Sequence, residues 1–398
     1  MKKIISSLVI CVFLPLATLR ANQNLVSEEY AKFVTGSVAD KAIVLQQLEI
    51  TEQTDSFTAT LPELALSFVA ENVPIIGNVE GMAQLVLAAL PLINIDSSKT
   101  VDMLWQICDM FQDEEIKSAI FDAYNGIAIN SRQLLTPYIT QLHTFVAECI
   151  ASGSYSSESC IQVVELLGNI SDTSSFDLLF RLVYNDYNPV LTEVATFAFD
   201  RILPSSHTNI IRLMLDKDNV SVEEKRLLFT LVQKNTKISQ ILKADLAENA
   251  LSAAIINTED VQKITPDAVA LQMSAVKEIA ALEWTRASAT VAKFFLVAQK
   301  EYDAGLISEN EFLEIISCVE TLATTHSVAA LSDYLGVLNK TTAEVGNICS
   351  EPVVLAVIDA LGTLGDKNAF DNLLYVTYLP YSDSVVASAR AALAGLKW

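Results

Sequence analysis

The chain has 398 residues, of which 51% are hydrophobic and 19% are charged, and its formal net charge is −22. The hydrophobic content argues against a disordered chain. The negative charge argues against nucleic-acid binding and against adhesion to anionic lipid, and it is compatible with a basic protein partner. The length exceeds that of an ordinary domain of roughly 100–200 residues, a limit that repeat arrays escape because each unit packs on its neighbours.

The first 21 residues have the pattern of a secretory signal peptide. They open with MKK, continue as an apolar run from Ile4 to about Leu19, and end in small residues near Ala21. This pattern predicts export to a periplasmic or extracellular space. A retained anchor and lipidation at Cys11 are the alternatives. No later apolar run reaches the ~18–20 residues that a membrane span needs, so we expect no span after signal removal.

Taken in order, the rest of the chain predicts an N-terminal helical segment with a polar linker at 22–60 and helix pairs over 61–398. An apolar-x-x-x-apolar box recurs at a mean interval of ~38 residues, which is typical of two-helix repeats. Three stretches exceed this interval and are predicted to be loops or extra turns, at 153–159, 252–267 and 339–350. The second of them separates two predicted sub-blocks, 61–250 and 267–398. The boxes end at Leu48, Leu90, Tyr124, Leu167, Phe199, Leu231, Ile279, Leu322, Leu361 and Leu393.

A gapless internal repeat is the clearest feature of the chain. Residues 164–184 and 358–378 are offset by 194 positions and share seven identities. Each copy predicts a helix that ends at a Leu-Gly pair, a turn that contains an aspartate, and a second helix. The identities are Leu167/Leu361, Gly168/Gly362, Asp172/Asp366, Phe176/Phe370, Asp177/Asp371, Leu179/Leu373 and Tyr184/Tyr378.

The units at 164–203 and 351–396 resemble HEAT repeats of the kind found in many bacterial proteins, whose pattern is roughly D-P-x-V-R-x-x-A-x-x-A-L-G. The resemblance implies an all-α fold, a right-handed superhelical solenoid of HEAT-like helix pairs over 61–398 with an extended concave surface. It also implies a divergent, exported branch from a bacterial source. The family's Arg position holds Thr192, Val354 and Val386 here. The matching residues are Asn188, Pro189, Val190, Leu191, Ala195, Ala198 and Phe199, and Pro352, Val353, Val357, Ala360, Leu361 and Gly362.

Five cysteines follow the signal peptide, and their spacing does not match a metal site. Cys149 and Cys160 flank the serine-rich turn GSYSSES, so a disulfide between the adjoining helices is one interpretation. The other is that all five are small apolar core residues. The set comprises Cys108, Cys149, Cys160, Cys318 and Cys349.

The sequence contains no recognisable catalytic motif. His143, His207 and His326 stand apart from each other and from any His-Glu pattern, which argues against zinc and di-iron sites. The acidic runs lack the ligand spacing of a calcium loop, and no nucleophile elbow, phosphate loop or dinucleotide fingerprint occurs. We therefore predict no catalytic residue, no cofactor and no metal. The alternative is a hydrolase or lyase with carboxylates on the concave face, whose pKa values would be perturbed.

Tyrosines cluster around two turns, each of which follows the helix after the aspartate turn of the internal repeat. Exposed tyrosines are common anchors in protein interfaces, so we predict that these residues contact a partner, and burial over helix ends is the alternative. They are Tyr184 and Tyr187 in YNDYN, and Tyr375, Tyr378 and Tyr381 in YVTYLPY. The sequence as a whole predicts an exported, non-enzymatic scaffold that binds another protein. An envelope-anchored structural protein differs from it at the N-terminus alone.

Overall fold

The computed structural model describes residues 29–51, 54, 56–77, 81–255, 263–346 and 348–397. These residues form helices and turns with no β-strand among them, apart from an isolated bridge between Asp366 and Lys397. The all-α prediction is therefore confirmed. Within the described ranges, no helix is long and apolar enough to cross a membrane. The predicted signal peptide lies outside the described residues.

The chain divides into two compact units, the first ending at Ile202 and the second beginning at Leu203. The predicted boundary between sub-blocks, at 250–267, falls inside the second unit. The reason is packing: the helices on either side of that insertion, which end at Ala254 and begin at Pro266, lie against each other over much of their length. Each unit is described by itself below.

Unit 1 contains the helices α1 to α11. Helices α7, α9 and α11 pack side by side, while α8 packs on α9 and α10 packs on α11. Nearer the N-terminus, α5 packs on both α2 and α4, and α4 also contacts α6. The helices are α1 (residues 29–35), α2 Val38–Gln46, α3 Ser56–Ala59, α4 Leu61–Ile76, α5 Met82–Ala89, α6 Ser98–Met110, α7 Glu114–Ser131, α8 Ile139–Ser152, α9 Glu158–Ile170, α10 Phe176–Asn185 and α11 Pro189–Ile202.

Unit 2 contains the helices α12 to α21, and here the alternation is regular. Each odd-numbered helix from α13 packs on the next odd-numbered one, and each even-numbered helix from α12 packs on the next even-numbered one. Most consecutive helices also pack across these two rows, for example α14 on α15 and α20 on α21. The helices are α12 His207–Leu215, α13 Val222–Lys234, α14 Gln240–Ala254, α15 Pro266–Ala281, α16 Ser288–Asp303, α17 Glu309–Leu322, α18 Thr325–Val345, α19 Glu351–Leu364, α20 Phe370–Val376 and α21 Asp383–Ala394.

Local sequence signals set many of these boundaries. Ser308 and Glu311 form a capping box at the start of α17, with both reciprocal hydrogen bonds present. Asn188 caps α11, since its Oδ1 accepts the backbone N–H of Val190 at 2.9 Å, and Pro189 occupies the first turn. Gly305 follows α16 with a φ of +71°, a backbone conformation that glycine adopts readily after a helix. The stretch at 339–350, predicted to form a loop or extra turns, is helical as far as Val345, where α18 ends.

The recurring boxes identify core positions. Eight of their ten terminal residues are buried, and Leu231 and Leu393 are half-buried. In unit 1 the aromatic rings of Phe176, Phe180 and Phe199 form one cluster, with centroids 5.0–6.5 Å apart. In unit 2 the rings of Phe295, Phe312 and Tyr334 do the same at 5.5–5.7 Å. Burial of these large apolar side chains is the main stabilising term of each unit.

The two copies of the internal repeat have the same helix–turn–helix arrangement, but the predicted end of their first helices is wrong. Their first helices, α9 and α19, do not end at the Leu-Gly pair but continue for two or more residues beyond Gly168 and Gly362. A Cβ on Gly168 would lie 2.6 Å from Cα of Ala198, and one on Gly362 would lie 3.2 Å from Cα of Ala392. The glycines therefore permit close helix packing and do not form the turn.

Candidate partner-binding site

Two of the predicted tyrosines are exposed on unit 2. Leu373 and Val376 are the buried residues of α20. Tyr375, between them on the helix, faces outward and is 46% exposed. Tyr378 lies in the turn that follows, where its N–H bonds to the carbonyl of Tyr375 at 3.0 Å, and its side chain is 76% exposed. The two aromatic side chains occupy one helix end, three residues apart, which is the spacing of neighbours on a helical surface.

Tyr381 does not belong to this surface, which corrects its prediction as a partner-binding residue. Its side chain is buried, and its hydroxyl donates a hydrogen bond of 3.2 Å to Oδ1 of Asn339. The same Asn339 donates from Nδ2 to the carbonyl of Asn372 at 2.9 Å. Burial raises the pKa of Tyr381 above its ordinary value. Tyr381 therefore ties the turn before α21 to α18 and α20, as the alternative interpretation predicted.

Unit 1 holds the other two predicted tyrosines, in a different environment. Tyr184 is half-buried. Tyr187 is 38% exposed, its ring lies 5.8 Å from that of Tyr155, and its hydroxyl accepts a hydrogen bond from Nδ2 of Asn185. Tyr155 comes from the turn between α8 and α9, so the aromatic pair joins two turns of unit 1. Contact of Tyr184 and Tyr187 with a partner stays a prediction.

Helix α11 carries an exposed apolar surface that was not predicted from the sequence. Val190 is 54% exposed and Phe197, two turns later on the same helix, is 64% exposed. Phe197 lines a shallow cavity of about 220 Å³ together with Glu165, Val194, Ala198 and Arg201. The signal was present in the sequence, because the i, i+7 spacing of Val190 and Phe197 marks one helix face. It was indistinguishable there from a core-facing stripe.

A second open cavity, of about 450 Å³, lies on unit 2 along one face of α16. It combines the exposed side chain of Leu296 with two lysines, Lys293 and Lys300, in a chain that is strongly acidic overall. Its remaining lining comes from the end of α14 and from Thr290 and Val297. Residues 256–262, which follow the end of α14, lie outside the described part, so no site is assigned to this cavity.

His143 and Ser175 are hydrogen-bonded across unit 1, with 2.9 Å between Nε2 and Oγ. Asp172 is near enough to favour the charged imidazole, but burial dominates and lowers the pKa of His143. The pairing resembles a nucleophile with its base, yet the Ser175 side chain is 0% exposed and cannot touch a substrate. His143 is therefore a part-buried residue with a satisfied hydrogen bond.

The most deeply buried carboxyl group of unit 2 belongs to Glu301, whose side chain is 0% exposed. Its Oε1 accepts a hydrogen bond of 3.0 Å from Nε2 of Gln272, which also donates to the carbonyl of Ala254 at 3.4 Å. Its Oε2 and the Oε1 of Gln272 have no hydrogen-bond partner. Burial raises the pKa of Glu301. A carboxyl with this exposure helps to specify packing and does not act on a substrate.

Ionic groups also form a small network at the surface of unit 2. Arg286 pairs with Asp245 and with Glu248, whose Oε2 additionally accepts a hydrogen bond of 3.1 Å from the indole of Trp284. His207 lies 3.6 Å from Asp245. These contacts connect the turn between α15 and α16 to α14. Among the described residues, no group of three or more His, Cys, Asp or Glu side chains is arranged to hold a metal ion.

Comparisons with known proteins give no family for this chain. No protein-family model matches it, and no curated protein matches it. A solved structure described as that of an engineered protein aligns with 14% identity and a TM-score of 0.37, covering 93% of this chain and 98% of its own. A similarity this low does not establish a shared fold or a shared function.

Proposed function

We propose that this protein is an exported, non-enzymatic scaffold of HEAT-like helix pairs that binds another protein through the surface formed by Tyr375 and Tyr378. The observation that carries the proposal is the exposure of these two aromatic side chains on a well-packed helix end. Large aromatic residues supply much contact area with little loss of conformational entropy on binding, and they are enriched among residues that dominate interface energies.

The net charge of the chain favours a basic partner. Near the two tyrosines the sequence holds Asp371 and Asp383, flanked by Lys367 and Arg390. Both aspartates are exposed and lie at the first turns of α20 and α21. Together with the net charge of −22, they would accelerate association with a basic surface at low ionic strength.

Two other functions are compatible with the sequence. An envelope-anchored structural protein shares the described residues and differs at the N-terminus, so the mass of the mature chain from native material distinguishes the two. A hydrolase or lyase would need accessible, converging acids with perturbed pKa values. Among the described residues, burial raises the pKa of three acids, Asp109, Glu301 and Asp303. Glu301 is inaccessible, and the exposed Asp109 and Asp303 belong to different units, which favours the binding function.

The proposal is tested by placing a photo-crosslinking amino acid at position 378 of the full chain in its native host. A matched protein carries the same amino acid at position 129, because Ile129 is 73% exposed on α7 of unit 1. We expect position 378 to crosslink to one discrete protein that position 129 does not capture. Crosslinking to the same set of proteins from both positions would contradict the proposal.

Affinity then decides whether the tyrosines carry the interaction. With the captured partner purified, Tyr378→Ala is expected to raise Kd by at least about ten-fold, the effect of a hot-spot residue. Phe197→Ala, a truncation of similar exposure on unit 1, serves as the control and should leave Kd unchanged. An unchanged Kd for Tyr378→Ala with a weakened Phe197→Ala would move the interface to α11.

A further inference from the structure

The hairpin between α8 and α9 brings two cysteines of unit 1 together. Cys149 lies in the last turn of α8 and Cys160 in the first turn of α9, two helices that pack on each other. The Cys160 side chain is near enough to Cys149 to lower the pKa of the Cys149 thiol. The connection between them is tight: Gly153 has a φ of +78°, and the N–H of Ser154 bonds to the carbonyl of Cys149 at 2.8 Å. All five cysteines among the described residues are thiols in this structure.

The two thiols of the pair differ in access and in acidity. Cys149 is 8% exposed and is followed by the exposed residues 151–154, whereas Cys160 is 0% exposed. The neighbouring Cys160 side chain lowers the pKa of Cys149, and the neighbouring Cys149 side chain together with burial raises the pKa of Cys160. Among the nearby charges, Lys117 favours a Cys149 thiolate and Glu114 and Glu148 oppose it.

The other cysteines provide an internal contrast. Cys108 and Cys318 are buried among apolar residues, and burial raises the pKa of each thiol to about 12. Cys349 contacts Oγ1 of Thr342 at 3.9 Å. In the second copy of the internal repeat, the position of Cys160 is occupied by the buried Val354. Unit 1 therefore has a pair of neighbouring thiols that the second copy of the internal repeat lacks.

We propose that Cys149 and Cys160 form an intrachain disulfide by thiol–disulfide exchange, in which Cys149 attacks first and Cys160 resolves. The Cys149 thiolate attacks a disulfide-bearing oxidant, forming a mixed disulfide and releasing one thiolate of the oxidant. Cys160 then loses its proton and attacks the sulfur of Cys149, which releases the second thiol. The protein loses two electrons and two protons, and the oxidant's disulfide is reduced to two thiols.

The disulfide would restrict the motion of the Tyr155–Tyr187 pair of unit 1. It closes the segment from Cys149 to Cys160, and this segment carries Tyr155, whose ring packs against Tyr187. Closing a loop of this length removes conformations from the unfolded chain and from locally opened states of the hairpin. Oxidation is therefore expected to hold the Tyr155–Tyr187 pair in place and to raise the Tm by roughly 5–10 °C.

The test uses the full-length protein with oxidised glutathione as the oxidant, followed by alkylation of the remaining thiols. Because Glu158 lies between the two cysteines, a Glu-specific protease separates them and leaves their peptides joined only by a disulfide. We expect a Cys149–Cys160 linkage, with Cys108, Cys318 and Cys349 alkylated and with the Tm gain reversed by dithiothreitol. A digest in which all five cysteines are alkylated, or linked at random, would overturn the proposal.

Single variants test the order of the two steps independently of the final bond. In Cys160→Ser, which keeps a hydrogen-bond donor, Cys149 should form a stable mixed disulfide with glutathione. In Cys149→Ser, Cys160 should react at least about ten-fold more slowly, because its thiol is buried and its pKa is raised. Circular dichroism and thermal unfolding establish that both variants are folded. Equal rates in folded variants would refute the assignment of Cys149 as the attacking thiol.

Discussion

The segment α9–α11 of unit 1 and the segment α19–α21 of unit 2 are two copies of one pattern, and they differ where function would be expected. Asp172 and Asp366 have the same backbone angles, φ −87° and ψ 132°, and each accepts an N–H two residues ahead at 2.8 Å. In contrast, Tyr187 is exposed and its counterpart Tyr381 is buried. The turn and the close helix contact are thus shared, while the side chains around them are not.

The difference at the tyrosines has a specific physical cause. The hydroxyl of Tyr381 meets Oδ1 of Asn339, a residue that is 1% exposed, whereas the hydroxyl of Tyr187 meets Asn185 at the surface. A buried polar partner allows a tyrosine to enter a core, because the hydroxyl then keeps its hydrogen bond. The same pattern therefore places one tyrosine in the core and leaves the other at the surface.

The largest contrast between the copies is expected on truncation of these tyrosines. Tyr381→Ala should lower the free energy of unfolding by about 3–5 kcal/mol, as for large buried aromatic residues, and Tyr187→Ala by about 1 kcal/mol. Urea denaturation measures both. Tyr381→Phe, which removes the hydroxyl alone, should cost about 1–2 kcal/mol because Asn339 loses its donor. Equal losses from the two alanine variants would mean that Tyr381 is not a core residue.

The glycines at the helix contact should also respond unequally. Gly168→Ala is expected to destabilise by about 2 kcal/mol, because its Cβ would lie 2.6 Å from the backbone of α11. Gly362→Ala should be close to neutral, since its contact is 3.0–3.2 Å and the gain in helix propensity is about 1 kcal/mol. The control is Gly126→Ala in α7, where a Cβ meets nothing within 4 Å and stabilisation is expected. A larger loss at Gly362 would reverse the comparison.

The shared aspartates should, by contrast, behave alike. Asp172→Ala and Asp366→Ala each remove a side-chain acceptor from the same type of helical turn, so each should cost about 1 kcal/mol of stability. Hydrogen exchange at the amides of Ser174 and Asn368, which lose their acceptors, locates the effect in each unit. Losses that differ by more than a factor of two would show that the turn is supported differently in the two copies.

A smaller effect, dependent on pH, should distinguish Glu301 of unit 2. Its pKa is raised by burial, so its contribution to stability is present below the unfolded pKa of about 4.3 and is lost as pH rises through the folded pKa. Glu301→Gln removes the group that ionises, and it should gain stability relative to the unchanged protein as pH rises. Urea denaturation over a pH series measures this. Glu344→Gln, at an exposed site, controls for the change in net charge, and parallel curves for both variants would argue against a raised pKa at Glu301.

Sequence by itself determined the helices and the register of the internal repeat. Caps such as Ser308 with Glu311 and Asn188 before Pro189 act within one helical turn, and apolar residues at helical spacing marked eight boxes that are buried. These signals depend on neighbours three or four residues away, which a single chain displays directly. The prediction that α9 and α19 end at their glycines was wrong. The reason for a glycine inside each helix is the close approach of Ala198 or Ala392 on the opposing helix, and the sequence does not show that contact.

The tertiary structure alone decided which residues of the repeat are available to a partner or to chemistry. Three side-chain hydrogen bonds join residues that are far apart in the sequence: Tyr381 with Asn339 over 42 positions, His143 with Ser175 over 32, and Gln272 with Glu301 over 29. Local patterns say nothing about such contacts, since they depend on how helices pack and on which polar group lies opposite. For the neighbouring thiols of Cys149 and Cys160, the sequence and the tertiary structure each supplied a part. Their spacing allowed a disulfide, and the packing of α8 on α9 brings together the two thiols on which our proposal rests.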